Sequence, residues 1–385
     1  MLVALSILTR KTALISLLLG LFCTSTLAAA PVPAPPKIAA SGHLLLDFDS
    51  GAVLAENNAN EQLEPASLTK IMTAYVVLRE LTEGNIKLDE MVRVSKKAWR
   101  APGSRMFIEV GKQISVEQLL KGMIIQSGND SSIALAEHVA GSEETFAALM
   151  NEHAQRLGML NTNFVNSTGL PDKNHYTTAN DIAKVAAATI REFPDYYGWY
   201  AIREFTFNDI KQHNRNKLLW RDDSVDGIKT GHTEAAGYCL VASAKRNGMR
   251  LISVVMGTKS ENARAKESQA LLNYGFRFYE THRLYGAGEA LTQVRVWKGA
   301  SEQLRLGLKE DLVVTIPRRQ YKNLKPGMTI PPKIMAPMRK GQEVGKVKVM
   351  LGDRVVAESP LVALEGVEEG GIWQTVKDSA LLMFE

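Results

Sequence analysis

Cysteine is almost missing: Cys23 and Cys239 are the only two among 385 residues. A disulfide-stapled scaffold is excluded. The histidines form no HExxH or similar ligand spacing, so no metal and no cofactor is expected. Neither sign of charge dominates. The net charge is +5, and Lys and Arg are interspersed with Asp and Glu, so no basic stripe for nucleic acid exists. No internal repeat is evident. The longest apolar run, Ala13 to Phe22, is shorter than the ~20 residues a spanning helix needs.

What is present starts with a leader. Arg10 and Lys11 precede that apolar run, and Ala28-Ala29-Ala30 closes it with an A-x-A pattern. Residues 1–30 therefore read as an export signal, the alternative being an uncleaved anchor. Phe22 before Cys23 does not fit a lipidation site. With the leader removed, Cys239 stands alone in an apolar run, as a core residue does. Residues 31–37 are a Pro-rich linker.

His43 to Phe48, the Asp49-Ser50-Gly51 turn and Ala52 to Ala55 predict a hairpin. Ser67 to Leu81 is too densely apolar for an exposed helix and reads as a buried one. Helices are expected over Ser115–Met123, Ser131–Val139, Glu143–Leu157, Thr178–Ile190 and Ala263–Tyr279. Asn161 to Tyr176 reads as a loop. Gly237–Ala244 and Arg250–Met256 are antiparallel strands joined at Asn247-Gly248. From about Gly286 short β-type runs replace helices, which predicts a small all-β domain over 287–366. In the last segment, 367–385, Ile372, Trp373, Val376, Ala380 and Met383 fall on one helical stripe, widened by Leu381, Leu382 and Phe384. It reads as an interfacial membrane helix. The alternatives are a helix packed on a neighbouring domain and a frayed tail. Lys377 is its one cation, so apolar burial would drive any binding.

Three motifs carry the chemistry: Ser67-Leu68-Thr69-Lys70, Ser127-Gly128-Asn129 and Lys229-Thr230-Gly231. Three residues along a helix are ~300° of rotation and ~4.5 Å of rise, so Ser67 and Lys70 share a face. A serine hydroxyl needs a base, and a lysine serves only if burial among cations lowers its pKa. Taken alone, the pair also fits a cap and a surface lysine, but the apolar stretch Ile71 to Leu78 argues against that. Gly128 permits a turn that points Ser127 and Asn129 into a cleft. Standing alone, this motif would read instead as a helix cap. Lys229 and Thr230 lie on alternate sides of an expected edge strand, so their cooperation requires twist or an indirect contact.

The ordered trio is similar to that of β-lactamases and penicillin-binding proteins. The longer strings Pro65 to Lys70 and Asp226 to Thr233 resemble the D-alanyl-D-alanine carboxypeptidase branch, and the likeness spans the whole mature chain. The resemblance implies an α+β fold. A β-lactamase/transpeptidase-like catalytic domain over 38–286, an antiparallel sheet with flanking helices and a helical subdomain, is followed by the all-β domain and terminal helix. It implies a serine-type carboxypeptidase that removes the terminal D-alanine from peptidoglycan stem peptides through a Ser67 acyl-enzyme, with β-lactams as covalent inhibitors. By the same likeness Lys70 is the base and Ser127 passes a proton to the leaving amine. Asn129 holds Lys70 and the substrate backbone. Lys229 adds positive potential, Thr230 meets the substrate carboxylate and Gly231 makes room for it. The backbone N–H groups of Ser67 and His232 form the oxyanion hole. Arg215 and Arg264 resemble arginines near the carboxylate, and the alternative for each is a surface role. The implied location is the periplasmic face of the bacterial inner membrane, peripherally attached.

A β-lactamase of the class that uses a loop glutamate is disfavoured, because no Glu occurs between Glu152 and Glu192. Endopeptidase activity would use the same residues. A wall-binding scaffold with a decayed site is the non-enzyme rival, and all three motifs are intact.

Overall fold

The computed structural model describes residues 32–384. The expected leader, Pro31 and Glu385 lie outside the described residues. Val32 and Pro33 carry no helix or strand, and the residues from Ala34 onward group as one unit.

The chain opens with the expected hairpin, β1 (Gly42–Asp47) and β2 (Val53–Asn57). A single 3-10 turn, Ala66–Leu68, runs directly into α1 (Thr69–Thr82), which is buried from Thr69 to Leu78. Next come α2 (Val116–Ile125), α3 (Asn129–Ala140), α4 (Glu143–Arg156) and α5 (Ala179–Glu192). Ser115, Ser142 and Thr178 cap α2, α4 and α5, each accepting from an N–H three residues on. These helices bury their apolar faces around α1.

Three long strands then join the hairpin: β3 (Val225–Thr233), β4 (Gly237–Arg246) and β5 (Met249–Thr258). The sheet is antiparallel in the order β2-β1-β5-β4-β3, so β3 is an edge. β4 and β5 have unbroken buried runs rather than alternation, as expected of strands covered on both faces. α5 and α6 (Glu261–Phe278) pack against them.

The β region begins earlier than residue 287. β6 (Tyr279–Tyr285) pairs with β9 (Leu312–Pro317), although its sequence shows no break from α6. β7 (Ala290–Trp297), β8 (Gln303–Gly307), β10 (Leu324–Thr329), β11 (Ile334–Met335), β12 (Glu343–Leu351) and β13 (Arg354–Ala363) form a six-stranded sheet in the order β10-β12-β13-β8-β7-β11. It has a core of its own built from Leu304, Leu306, Val347, Val349 and Leu361.

A polar knot ties the five-stranded sheet to the β6–β9 pair. Asp47, fully buried at the end of β1, accepts from Ser50 N and Oγ (2.9 and 2.8 Å) and from Thr281 Oγ1 (2.7 Å). Ser50 Oγ also contacts Thr315 Oγ1 at 2.6 Å.

The terminal helix, α7 (Ile372–Leu382), presents its apolar stripe outward. Ile372, Trp373, Met383 and Phe384 are more than four-fifths exposed. Its polar side is docked instead: buried Asp378 accepts from Lys298 N (2.6 Å) and Arg295 Nη2 (3.2 Å). No helix among the described residues is long and apolar enough to cross a membrane.

Candidate active site

Ser67 sits in the 3-10 turn rather than in α1 itself. With three residues per turn, positions i and i+3 eclipse, so the turn still aims Ser67 at Lys70. Lys70 Nζ lies 3.1 Å from Ser67 Oγ. It also donates to Asn129 Oδ1 (2.6 Å) and to the Thr168 carbonyl (2.5 Å). Those two oxygens can only accept, so a neutral amine spends both protons on them and turns its lone pair to Ser67. Lys70 is 1% exposed. Burial pushes its pKa down to about 7; Asp130 and Glu143 oppose this, and Arg215 adds to it.

Ser127 follows α2 with a positive φ of 69°, and Ala66 beside the nucleophile has one of 46°. Two non-glycine residues in the left-handed region, both next to reacting groups, mark a site held by its surroundings. Lys229 Nζ donates to Ser127 Oγ at 2.9 Å and to its neighbour's carbonyl, Thr230 O, at 3.2 Å. The strand alternation that separates Lys229 from Thr230 is thus bridged indirectly: Lys229 reaches the second motif, while Thr230 lines the cleft. Burial, then the charges of Lys70, Arg215 and Arg264, hold Lys229 well below the ordinary lysine range.

Gly231 lines the cleft, but its missing side chain has a protein-side reason. A Cβ there would meet Pro65 O at 3.0 Å, Ala66 Cβ at 3.2 Å and Ser67 N at 3.3 Å. The glycine lets β3 lie against the turn that carries the nucleophile. His232 is exposed on the rim, its ring stacked 3.9 Å from Tyr238.

The two arginines differ. Arg215 is exposed at the cleft and donates to Gln126 O (3.3 Å) and Ser104 Oγ (3.2 Å). Arg264, 4% exposed, donates to Gly231 O at 3.1 Å and lies over the Tyr238 ring. Its guanidinium braces the third motif from behind as well as lining the cleft.

Except for the buried amines of Lys70 and Lys229, these groups line a cleft of about 420 Å³, with Gly103, Ser104, Gly169, Leu170, Tyr238 and Glu261. A larger hollow of about 770 Å³ between Leu218, Arg246 and Asn273 contains none of them. The Thr168 carbonyl, buried Glu143 and Asp130 were not legible as site residues. Asp130 accepts from Met106, Phe107 and Ile108 N, which shapes the loop behind Ser104. A backbone carbonyl has no sequence signature, and the two acids act through backbone partners distant in the chain.

Residues 29–260 match the D-alanyl-D-alanine carboxypeptidase family, and residues 279–369 match the C-terminal domain of penicillin-binding protein 5. The chain is 46% identical over 377 residues to the D-alanyl-D-alanine carboxypeptidase DacC of Escherichia coli K12, across 96% of this chain and 94% of that protein. It is 42% identical over 361 residues to DacA of the same organism, across 92% of this chain and 90% of that protein. Penicillin binding protein 5 from Haemophilus influenzae superposes with a TM-score of 0.85 at 42% identity, covering 88% of this chain and all of that one. The chain therefore belongs to the D-alanyl-D-alanine carboxypeptidase family of serine hydrolases.

Proposed function

We propose that Ser67 attacks the carbonyl between the two terminal D-alanines of a peptidoglycan stem peptide, with Lys70 as its base. The observation that carries this is the set of three oxygens around Lys70 Nζ, two of them carbonyls, the third the Ser67 hydroxyl. Lys70 takes the Ser67 proton as the C–O bond forms. The C–N bond then breaks. The departing amine takes the Ser127 proton, which Lys229 replaces along the 2.9 Å contact. The extra proton on Lys70 then passes to the deprotonated Lys229, restoring both amines. Water next attacks the ester; Lys70 accepts the water's proton and delivers it to Ser67 Oγ, restoring the site. Ser67 N and His232 N stabilise the oxyanion, each such donor being worth roughly 3 kcal/mol of barrier. Thr230 and Arg215 face the substrate's free carboxylate, where a guanidinium fork fits well. β-Lactams acylate Ser67 by the same steps.

The chain is read as exported, with residues 1–30 as leader and 31–37 as linker, and as working at the periplasmic face of the inner membrane. The outward apolar face of α7 supports peripheral attachment there. The β region holds the helix through Asp378 and the catalytic sheet through Asp47.

The test is D-alanine release from a synthetic peptide ending in D-Ala-D-Ala, with an L-Ala ending as control, and intact mass after penicillin treatment. A single adduct on Ser67 and stereospecific release are expected. An adduct elsewhere, or equal turnover of the L-ending, defeats the proposal.

A further inference from the structure

The loop between α4 and α5 touches α1 at three positions. Thr168 O takes a proton of Lys70 Nζ at 2.5 Å. Ser167 O accepts from Thr73 Oγ1 at 2.7 Å. His175 Nε2 meets Thr69 Oγ1 at 2.8 Å. The other ring nitrogen, Nδ1, accepts from Val165 N at 3.1 Å. An N–H can only donate, so Nδ1 carries no proton and Nε2 does. His175 is therefore a neutral, oriented ring that bonds Val165, earlier in the same loop, on one side and the nucleophile's own motif on the other. It is 2% exposed and packs edge-on against Phe164.

We infer that His175 is a positioning residue for the acyl transfer: by joining Val165 to Thr69 it closes the 165–175 loop onto α1 and holds the Thr168 carbonyl against Lys70. The inference rests on the proposed role of Lys70 as base. Its physical content is local. Thr168 O and Asn129 Oδ1 together decide which way the amine's lone pair points, and the dry contact with the loop keeps water off Nζ. Gly169 shows how close the approach is, since a Cβ there would lie 1.8 Å from Ala66 O. Other bonds help: Asn166 Oδ1 gathers Thr168 N and Gly169 N, and Glu143 Oε1 accepts from Ser167 N and Oγ. None of these reaches α1 from the far end of the loop, which His175 alone does among the described residues.

The experiment compares the full chain with His175→Ala, His175→Gln and Thr69→Val, following the penicillin acylation rate of Ser67 by mass against pH, with thermal melting as a folding control. The charged groups facing His175 are Asp172 from the loop, Glu143 from α4 and Lys70 from α1. Those facing Lys70 are Asp130, Glu143 and Arg215, with Lys229 across the cleft. Loosening the loop admits water to Nζ, so the acid limb of the acylation profile moves to higher pH. His175→Ala is expected to slow acylation at pH 7 by about tenfold or more, as small misplacements in an active site do. His175→Gln, whose amide can accept from Val165 and donate to Thr69, restores most of the rate and the midpoint. Thr69→Val, which removes the hydroxyl at nearly constant volume, shifts the midpoint in the same direction as His175→Ala and decides the matter should His175→Ala not fold. A folded His175→Ala or Thr69→Val with an unshifted midpoint overturns the inference, as does His175→Gln falling as far as His175→Ala. Absence of any Ser67 adduct in the unsubstituted chain overturns the proposed role of Lys70 and this inference with it.

Discussion

Lys229 Nζ lies 2.9 Å from Ser127 Oγ, bonding the edge strand of the sheet to the turn that opens α3 across 102 residues of chain. Because the lysine is the donor, the Ser127 proton is free to point elsewhere. A hydroxyl backed by a low-pKa amine suits delivery of a proton to a leaving nitrogen.

If that is the work of Ser127, its loss depends on the leaving group. Ser127→Ala should lower turnover of a D-Ala-D-Ala amide by roughly 10²-fold or more, within the range of general acid catalysis. A thiolester analogue, whose thiolate leaves without a proton, should lose much less. Parallel steady-state rates on both substrates check this, and equal losses would remove Ser127 from the proton path.

Acylation by a neutral Lys70 sets its own pH profile. With a pKa of about 7, the reactive fraction falls about tenfold per unit of pH below that value. Stopped acylation reactions followed by mass should show an acid limb of unit slope with its midpoint near neutrality. Lys70→Arg, charged at every accessible pH, should abolish acylation, with thermal melting read beside it to show that the variant is folded.

Two glycines near the nucleophile should fail differently. Gly231→Ala presses on Pro65 O and Ser67 N, displaces the turn, and should cost about 10² in acylation rate with a modest change in melting. Gly169→Ala meets a backbone oxygen at 1.8 Å from a φ of 83°, so it should destabilise the protein by roughly 3 kcal/mol or more. Denaturant titration beside acylation rates separates the two.

Acid should weaken the helical region through two buried imidazoles. Unfolded histidines titrate near 6.5, and burial brings His153 and His175 down to about 4. Between those values the unfolded chain binds more protons, so stability is lost as pH falls from about 6.5 toward 4. Melting at pH 7 and pH 4.5 measures the loss, which should be smaller in His175→Gln.

The terminal helix offers a test independent of catalysis. Trp373→Ser removes an 87% exposed ring from the outward face and should weaken binding of the full chain to phospholipid vesicles by roughly tenfold or more, by loss of apolar burial. Melting and carboxypeptidase rate should not change. Vesicle sedimentation reads the difference, and unchanged binding would count against membrane attachment through α7.

Much of this was legible from local pattern. The hairpin around Asp49-Ser50-Gly51, the buried α1 and the β4–β5 pair each follow from a few neighbouring residues. The start of the β region at Tyr279 was not legible, because β6 is defined by its ladder to Leu312–Pro317 and not by its own residues. Residue alternation left twist or an indirect contact open for Lys229 and Thr230, and the reach of Lys229 to Ser127 shows the indirect one.

Residue order by itself determined that Ser67 and Lys70 share a turn, that three polar motifs interrupt apolar runs, and that the last helix is apolar along one side. Those are consequences of helical geometry and of side-chain chemistry, which travel with the sequence. Only the tertiary structure decided that Lys70 is dry, that a loop carbonyl and Asn129 claim its protons, and that α7 docks through Asp378 with its apolar side outward. Burial and hydrogen-bond direction are properties of segments brought together from distant parts of the chain, and no single segment contains them.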